Sequence, residues 1–383
     1  MASAEMTACR LCPRACGANR KSGQRGRCHV ASAIRIARAA LQLRDPHSKS
    51  GGQGAGAVVI SGCPLGCVYC QNRAISRGQA GTEISVERLA EIFFELQGQG
   101  ANNINLVTAG HYAPQVCQAL RMAKTHGLDV PIVWNSSGYE TVETLGMLEG
   151  LVDVYLPDFK YLNPELAKKY SRAEDYPEVA KKALREMVRQ RPHPQFDKAG
   201  MMTAGVIVRH LLLPGHVREA KNVVSYLHET YGDQIYISLM NQYTPPENQA
   251  PENQTPEDQA PENQTPEKQI PENQAPENRG QRNKDLPAEI SESICHAVAG
   301  ETSGIKNAER TTQQRNAVRG IAAVDPLLAR KVTKREYERL LDYAAQIGVE
   351  QGFYQEGDTA AESFIPAFDG TGVAKTKDRV PQQ

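Results

Sequence analysis

The chain has 383 residues with 44 basic and 44 acidic side chains, a length that is enough for a large α/β domain with additions. The balanced charge gives no argument for a nucleic acid or an anionic membrane as partner. No apolar run approaches the roughly 20 residues that span a bilayer, and the first residues lack a signal-peptide pattern. We therefore expect a cytoplasmic protein that has no contact with the membrane.

Nine cysteines are present, and seven of them lie in two short arrays before residue 71. In a reducing compartment such arrays indicate metal ligands rather than disulfides. The first array has the spacing C-x2-C-x3-C-x11-C and consists of Cys9, Cys12, Cys16 and Cys28. Pro and Gly separate these thiols in a segment too polar to build its own core, which predicts a metal-stapled knuckle within residues 1–50. Zinc and an additional iron-sulfur cluster both fit, and the alternative is a set of free cysteines.

From residue 51 to residue 245, short apolar strands alternate with helical patterns. The predicted strands are Ala57–Ile60, Ile104–Thr108, Pro131–Asn135, Val152–Leu156, Val206–Arg209 and Ile235–Leu239. Six βα steps predict an α/β fold with a parallel sheet that closes partly into a TIM-type (β/α)6 barrel.

The composition changes abruptly at Pro246, where seven pentapeptides of the PENQA type run to Gly280. Proline at every fifth position excludes helix and sheet, so we predict a disordered insert over residues 246–325. Without the eight acidic and two basic residues of the repeats, the rest of the chain carries 42 basic and 36 acidic residues, a net charge of +6. This weak positive charge makes nucleic acid an unlikely partner. Residues 326–383 are predicted to form a helix from about Thr333 to Ile347 and a tail that pack on the barrel.

The second array directly follows the first predicted strand and has the spacing C-x3-C-x2-C, with Cys63, Cys67 and Cys70. Three thiolates cannot complete a structural zinc site, which normally has four protein ligands. They can hold three irons of a [4Fe-4S] cluster and leave the fourth iron open to a substrate.

This array resembles the signature of the radical S-adenosylmethionine superfamily. Other stretches resemble the pyruvate formate-lyase activating enzyme-like branch, in a group with an N-terminal cysteine knuckle. These stretches are Cys12–Cys16 with Asn19-Arg20, Cys70–Asn72, Asn103–Thr108, Leu239–Pro245, Glu336-Tyr337 and Phe364–Asp369. The resemblance implies that the open iron binds S-adenosylmethionine, and that reductive cleavage yields a 5'-deoxyadenosyl radical which abstracts hydrogen. It also implies an electron donor such as flavodoxin or ferredoxin, and a protein substrate with a glycine to be activated.

The same resemblance assigns residues to the cofactor. Tyr69 takes the place of an aromatic beside the adenine. The Gly-Gly-Glu-Pro motif of the family corresponds to Thr108-Ala109-Gly110-His111, which lacks the glutamate. The resemblance also assigns Asn135 and the Asp-x-Lys pair Asp158 and Lys160. Arg209 is a further candidate, because it ends the fifth predicted strand and a guanidinium can bind a carboxylate through two hydrogen bonds. The residue types alone leave alternatives, because Tyr69 also fits a loop-packing ring and the Asp158–Lys160 pair also fits a surface salt bridge.

Two other functions remain open from the sequence. A radical enzyme that modifies a small molecule or RNA would share every cysteine feature. A non-catalytic iron-sulfur or zinc binding protein belongs to a different class, and the altered motif at residues 108–111 is the feature that favours it.

Overall fold

The computed structural model describes residues 6–42, 54–245, 325–354 and 370–374. The chain divides into two units, one of residues 1–246 with 321–383 and the other of residues 247–320, and all described residues belong to the first. The pentapeptide repeats and the Phe364–Asp369 motif lie outside the described residues. No helix in the described part of the chain is long and apolar enough to cross a membrane.

The described residues form ten strands and eight α-helices. The strands are β1 (Ile34–Gln42), β2 (Ala55–Ile60), β3 (Thr82–Ile84), β4 (Ile104–Val107), β5 (Ile132–Ser136), β6 (Val154–Pro157), β7 (Gln195–Phe196), β8 (Met202–Leu211), β9 (Tyr236–Met240) and β10 (Gly352–Tyr354). The helices are α1 (Arg73–Ser76), α2 (Val86–Gly98), α3 (Ala113–Thr125), α4 (Val142–Gly146), α5 (Pro164–Ser171), α6 (Tyr176–Gln190), α7 (Val217–Tyr231) and α8 (Lys334–Gln346).

All strands join one sheet in the order β10-β9-β8-β6-β5-β4-β2-β1-β3, with β7 paired to β8. The six predicted strands are β2, β4, β5, β6, β8 and β9, and each is parallel to its neighbour among them. The predicted α/β fold with a mostly parallel sheet is therefore confirmed. Closure of the sheet into a partial barrel stays a prediction.

Strand β1 extends the sheet beyond the six predicted strands. It pairs antiparallel with β2, and β3 pairs antiparallel with β1. The sequence pattern of residues 31–43 allows a strand or a short helix. The strand forms because Ile34 and Ile36 are fully buried while Arg35 between them is only partly buried, which is the period of two that a strand requires.

The helices cover the sheet with apolar faces at helical spacing. In α2 the Ser85 hydroxyl accepts from the Arg88 backbone N–H, and the buried face includes Leu89 and Phe93. Burial of such a side chain contributes about 1.5–3 kcal/mol. The predicted helix near residues 333–347 is present as α8, which begins with a capping box between Thr333 and Glu336.

The carboxyl ends of the parallel strands all lie at one edge of the sheet, because parallel strands run in the same direction. The loops after β2, β4, β5, β6 and β8 therefore meet there. Residues 61–72, 108–112, 137–141 and 158–161 belong to these loops. This edge collects most of the candidate site residues.

Candidate functional site

The second cysteine array begins directly after β2, in a loop with little room around its backbone. Gly62 has φ +96°, and a Cβ there would lie 2.8 Å from both the Cys28 carbonyl oxygen and the His111 Nε2 atom. His111 Nε2 is 2.8 Å from the Ser61 carbonyl oxygen. Glycine is therefore required at position 62, because Cys28 of the first array and His111 of the loop after β4 occupy the space that a side chain would need.

The three thiols of this array fit the ligand set of an iron-sulfur cluster. Burial, followed by the charges of Cys67 and Cys70, raises the pKa of Cys63 to about 12. Burial also raises the pKa of Cys67, although the nearby Lys160 ammonium opposes this shift. Raised pKa values keep these thiols protonated, and a bound metal centre would displace the protons and stabilise the thiolates. The predicted grouping of Cys63, Cys67 and Cys70 on one loop therefore suits thiolate ligation.

Within residues 6–42, 54–245, 325–354 and 370–374, no group of three or more His, Cys, Asp or Glu side chains is arranged around a position for a metal ion. In a cubane cluster, each thiolate binds a different iron atom, so the sulfurs need not converge on one point.

The loop after β4 brings the predicted residues Thr108, Gly110 and His111 to the same edge. Thr108 has a left-handed backbone with φ +59°, and its N–H donates to the Asn135 carbonyl over 2.8 Å. The His111 ring is buried, and burial, together with the charge of Arg20, lowers its pKa to about 3. His111 is therefore neutral. Its Nδ1 atom has no hydrogen-bond partner among the described residues.

Glu140 is a buried carboxyl that was not among the residues predicted from the sequence. Its Oε1 atom would lie 3.4 Å from a Cβ at Gly110, and its Oε2 atom accepts from the Ser136 hydroxyl over 3.0 Å. Burial, with the charge of Asp158 as a smaller contribution, raises the pKa of Glu140 to about 7. The sequence feature that could have indicated Glu140 is its place in the Ser-Ser-Gly-Tyr-Glu stretch that directly follows a predicted strand.

Glu140 lines a small cavity of about 10 Å³, which is about the room for one water molecule. Thr108, Gly110, His111 and Cys12 of the first array line the same cavity. The 108–111 motif has no glutamate, but the same cavity contains a carboxyl, that of Glu140 from the loop after the neighbouring strand β5.

Four predicted cofactor residues form one polar network at the ends of β5, β6 and β8. Lys160 Nζ lies 2.6 Å from Asp158 Oδ2, and Arg209 Nη2 lies 2.7 Å from Asp158 Oδ1. Arg209 also donates to Asn135 Oδ1 over 2.7 Å. Burial opposes ionisation, but Arg209 and Lys160 hold the pKa of Asp158 below its usual value. The side chains of Asp158 and Lys160 are only 20% and 16% exposed, so this ion pair is not the surface salt bridge that the sequence left open.

Tyr69 is placed in a cluster of aromatic rings. Its hydroxyl lies 2.6 Å from that of Tyr161, and its ring contacts those of Tyr170 and Tyr243. These contacts are those of a loop-packing ring. A role for Tyr69 beside an adenine stays a prediction.

The first array lies against this site. Cys9, Cys12 and Cys28 are buried, and Cys16 is exposed. A hydrogen bond between the Cys9 and Cys16 thiols lowers the pKa of Cys16 and raises that of Cys9. Burial, with the charges of Cys28 and Cys16, raises the pKa of Cys12 to about 11. The four predicted thiols therefore lie close enough together to shift one another's pKa.

Two arginines within the first array, Arg14 and Arg20, hold the surrounding loops, and neither was predicted from the sequence to have a role. Arg14 donates to the carbonyl oxygens of Pro64 over 3.0 Å and Ser171 over 3.1 Å. Arg20 is fully buried and donates to the carbonyl oxygen of His111. The N-terminal segment thus contacts both the cysteine loop after β2 and the loop after β4.

The chain is similar to a known protein over about half of its length. An uncharacterized protein of Methanocaldococcus jannaschii is 28% identical over 195 residues, which cover 49% of this chain and 53% of the relative. The chain thus spans about half the length of the curated relative that it matches, at 53%.

Two solved structures resemble the chain only distantly. Streptococcus suis SuiB, bound to its precursor peptide SuiA, has 12% identity and a TM-score of 0.32, with 48% of this chain and 37% of that chain covered. A radical SAM methyltransferase from Sphaerobacter thermophilus has 14% identity and a TM-score of 0.36, with 58% and 70% covered.

The family model described as the Radical SAM superfamily matches residues 57–224, a span that includes all three cysteines of the second array. The fold, the position of these cysteines after β2 and this match agree. Residues 57–224 therefore form a Radical SAM superfamily domain, an enzyme domain whose cofactors are a [4Fe-4S] cluster and S-adenosylmethionine.

Proposed function

We propose that Cys63, Cys67 and Cys70 hold the [4Fe-4S] cluster and that the chain reductively cleaves S-adenosylmethionine. The observation that supports this function best is the position of the three thiols, on one loop at the sheet edge where the ends of β4, β5, β6 and β8 present polar side chains. When bound, the cluster and S-adenosylmethionine supply a 5'-deoxyadenosyl radical that abstracts hydrogen from the substrate.

The polar side chains at this edge match the charged groups of S-adenosylmethionine. Lys160 and Arg209 share the single carboxylate of Asp158, so this network has an excess positive charge that favours a carboxylate. Glu140 and the unpartnered Nδ1 atom of His111 supply acceptors for an ammonium group. We propose that Glu140 replaces the glutamate that the 108–111 motif lacks, and that Thr108 and Gly110 contribute backbone contacts there.

We propose that the reaction belongs to the pyruvate formate-lyase activating enzyme-like branch, in a partial (β/α)6 barrel spanning residues 51–245, with a glycine of a partner protein as the substrate. The motifs Cys70–Asn72 and Leu239–Pro245 support this branch. Radical SAM enzymes need a reductant, and flavodoxin or ferredoxin in the cytoplasm would serve. The Cys9, Cys12, Cys16 and Cys28 array is proposed as a second metal site, for zinc or an additional iron-sulfur cluster.

Anaerobic reconstitution with iron and sulfide tests the proposal. After reduction in the presence of S-adenosylmethionine, we expect 5'-deoxyadenosine from the wild type and none from Cys63→Ala. Cys117→Ala is the matched control, because Cys117 is a buried thiol in α3, outside both arrays. Equal product from wild type and Cys63→Ala would refute the assignment of the cluster.

Metal analysis of the same preparations tests the second site. A Cys9→Ala/Cys12→Ala variant should lose one metal centre and keep the iron of the second array. If the metal content is unchanged by this variant, the four cysteines of the first array do not form a metal site.

A further inference from the structure

A cavity of about 330 Å³ lies beside the first cysteine array, strand β1 and the loop after β4. Its volume is in the range of small-molecule binding sites. The lining includes the cationic side chains of Arg20, Lys21, Arg25 and Arg35, and Glu83 is the one carboxylate among the described lining residues. None of these five residues belongs to the candidate cofactor site.

Arg20 gives this cavity a preformed positive wall. It is 0% exposed, and its Nη2 and Nε atoms donate to the Ala31 carbonyl oxygen over 2.8 and 3.2 Å. Its guanidinium lies 4.8 Å from the centre of the Tyr112 ring. The carbonyls and the aromatic face orient the charge without neutralising it, because they carry no net charge. Arg20 Nη1 also lies 3.9 Å from the Cys9 Sγ atom, so the first cysteine array helps to hold this guanidinium in place.

Arg35 lies on β1 and also keeps most of its charge available. Its Nε atom donates to the Ala80 carbonyl over 3.3 Å, and its Nη1 atom is 3.9 Å from Glu83 Oε1. The Glu83 side chain is 61% exposed, so this ion pair is long and well solvated. A pair of this kind contributes little.

Several cationic groups around one cavity repel one another, and an anion removes this repulsion. Guanidinium groups present paired donors that match the oxygens of a phosphate group. We propose that this cavity binds a small phosphate-bearing molecule through Arg25 and Arg35, with Arg20 as the fixed charge behind them. S-adenosylmethionine carries no phosphate, so the ligand is distinct from the cofactor.

Calorimetric titration of the full-length, anaerobically reconstituted protein with glycerol 3-phosphate tests this site, with glycerol as the control ligand. We expect glycerol 3-phosphate to bind and glycerol not to bind. In Arg25→Gln/Arg35→Gln, the affinity should fall by about 100-fold, since each lost charge-assisted hydrogen bond costs about tenfold.

The matched control is Arg121→Gln/Arg185→Gln, which removes two exposed arginines from α3 and α6, outside the cavity. It should bind glycerol 3-phosphate like the wild type. Arg25→Gln alone, at an exposed position, should weaken binding by about tenfold and keeps the test valid if the double variant fails to fold. The proposal is overturned if the wild type does not bind glycerol 3-phosphate, or if both double variants bind it equally well.

Discussion

Arg14 Nε donates a hydrogen bond to the backbone carbonyl oxygen of Pro64 over 3.0 Å and thereby joins the two cysteine arrays. Arg14 lies between Cys12 and Cys16, and Pro64 follows Cys63 directly. The same guanidinium reaches the end of α5 through the carbonyl oxygens of Ser171 and Arg172. The conformation of the second array therefore depends on a side chain of the first.

Replacement of Arg14 by alanine should loosen the Cys63–Cys70 loop. Loss of several partly buried hydrogen bonds is expected to lower the free energy of unfolding by about 2 kcal/mol. We also expect less iron to remain bound after reconstitution and gel filtration. Arg10→Ala is the control, because Arg10 is an exposed arginine in the same segment. Equal iron retention in both variants would contradict a role of Arg14 in positioning the loop.

Two glycines of the cysteine loop allow a comparison of backbone strain with steric contact. Gly62 and Gly66 both have positive φ, but a Cβ at Gly62 would meet two atoms at 2.8 Å, whereas a Cβ at Gly66 would meet none within 4 Å. Gly66→Ala should therefore cost only the strain of about 1–2 kcal/mol. Gly62→Ala should cost more and reduce iron binding. Thermal unfolding and iron analysis of both variants test this order, and the reverse order would show that the contacts around Gly62 are unimportant.

Loss of the Asp158 carboxylate should lower the free energy of unfolding, because both Lys160 and Arg209 pair with it. Asp158→Asn leaves Lys160 partly buried without an anionic partner, at an expected cost of about 3–5 kcal/mol. The double variant Asp158→Asn/Lys160→Met should recover part of this loss, because it removes one of the two cations that Asp158 pairs with and leaves only Arg209 without its carboxylate. Because the pKa of Asp158 is lowered in the folded state, the contribution of Asp158 is present above its unfolded pKa and is lost as the pH falls through its folded pKa. Urea denaturation of the three proteins measures these differences; a double variant less stable than Asp158→Asn would argue against the explanation.

Glu140 should make stability fall as the pH rises. Its pKa is about 7 in the folded protein against a reference value of 4.5, so between these values the unfolded chain loses a proton that the folded chain retains. Wild-type stability should decrease across this window and level off above pH 7. Glu140→Gln removes the effect, and its stability relative to wild type should increase by about 3 kcal/mol from pH 4.5 to pH 8.

Urea denaturation across this pH range, without S-adenosylmethionine, measures the difference between Glu140→Gln and wild type. A difference that does not vary with pH would show that Glu140 ionises normally. In the same variant, affinity for S-adenosylmethionine should fall if Glu140 accepts the ammonium group.

The sequence alone predicted six of the ten described strands in their order, and it fixed the spacing of the cysteines. Apolar strands at regular intervals predicted β2, β4, β5, β6, β8 and β9, because the burial of a parallel strand on both faces requires a nearly continuous apolar run. The C-x3-C-x2-C array predicted the chemistry, because thiolate ligands on one loop are local in sequence. These features depend on short stretches of chain, and short stretches are what periodicity and spacing describe.

Only the tertiary structure brought together residues that are far apart in the sequence. Glu140 occupies the space next to Gly110 because β4 and β5 are adjacent and parallel. Arg14 reaches Pro64, and Asp158 meets Arg209, across 50 or more residues of chain. No periodicity records such contacts, since they depend on which strands become neighbours and on how closely the loops pack at their ends. The candidate cluster ligands were therefore predicted from the sequence, whereas the polar network, the Glu140 carboxyl and the cationic cavity were found only in the fold.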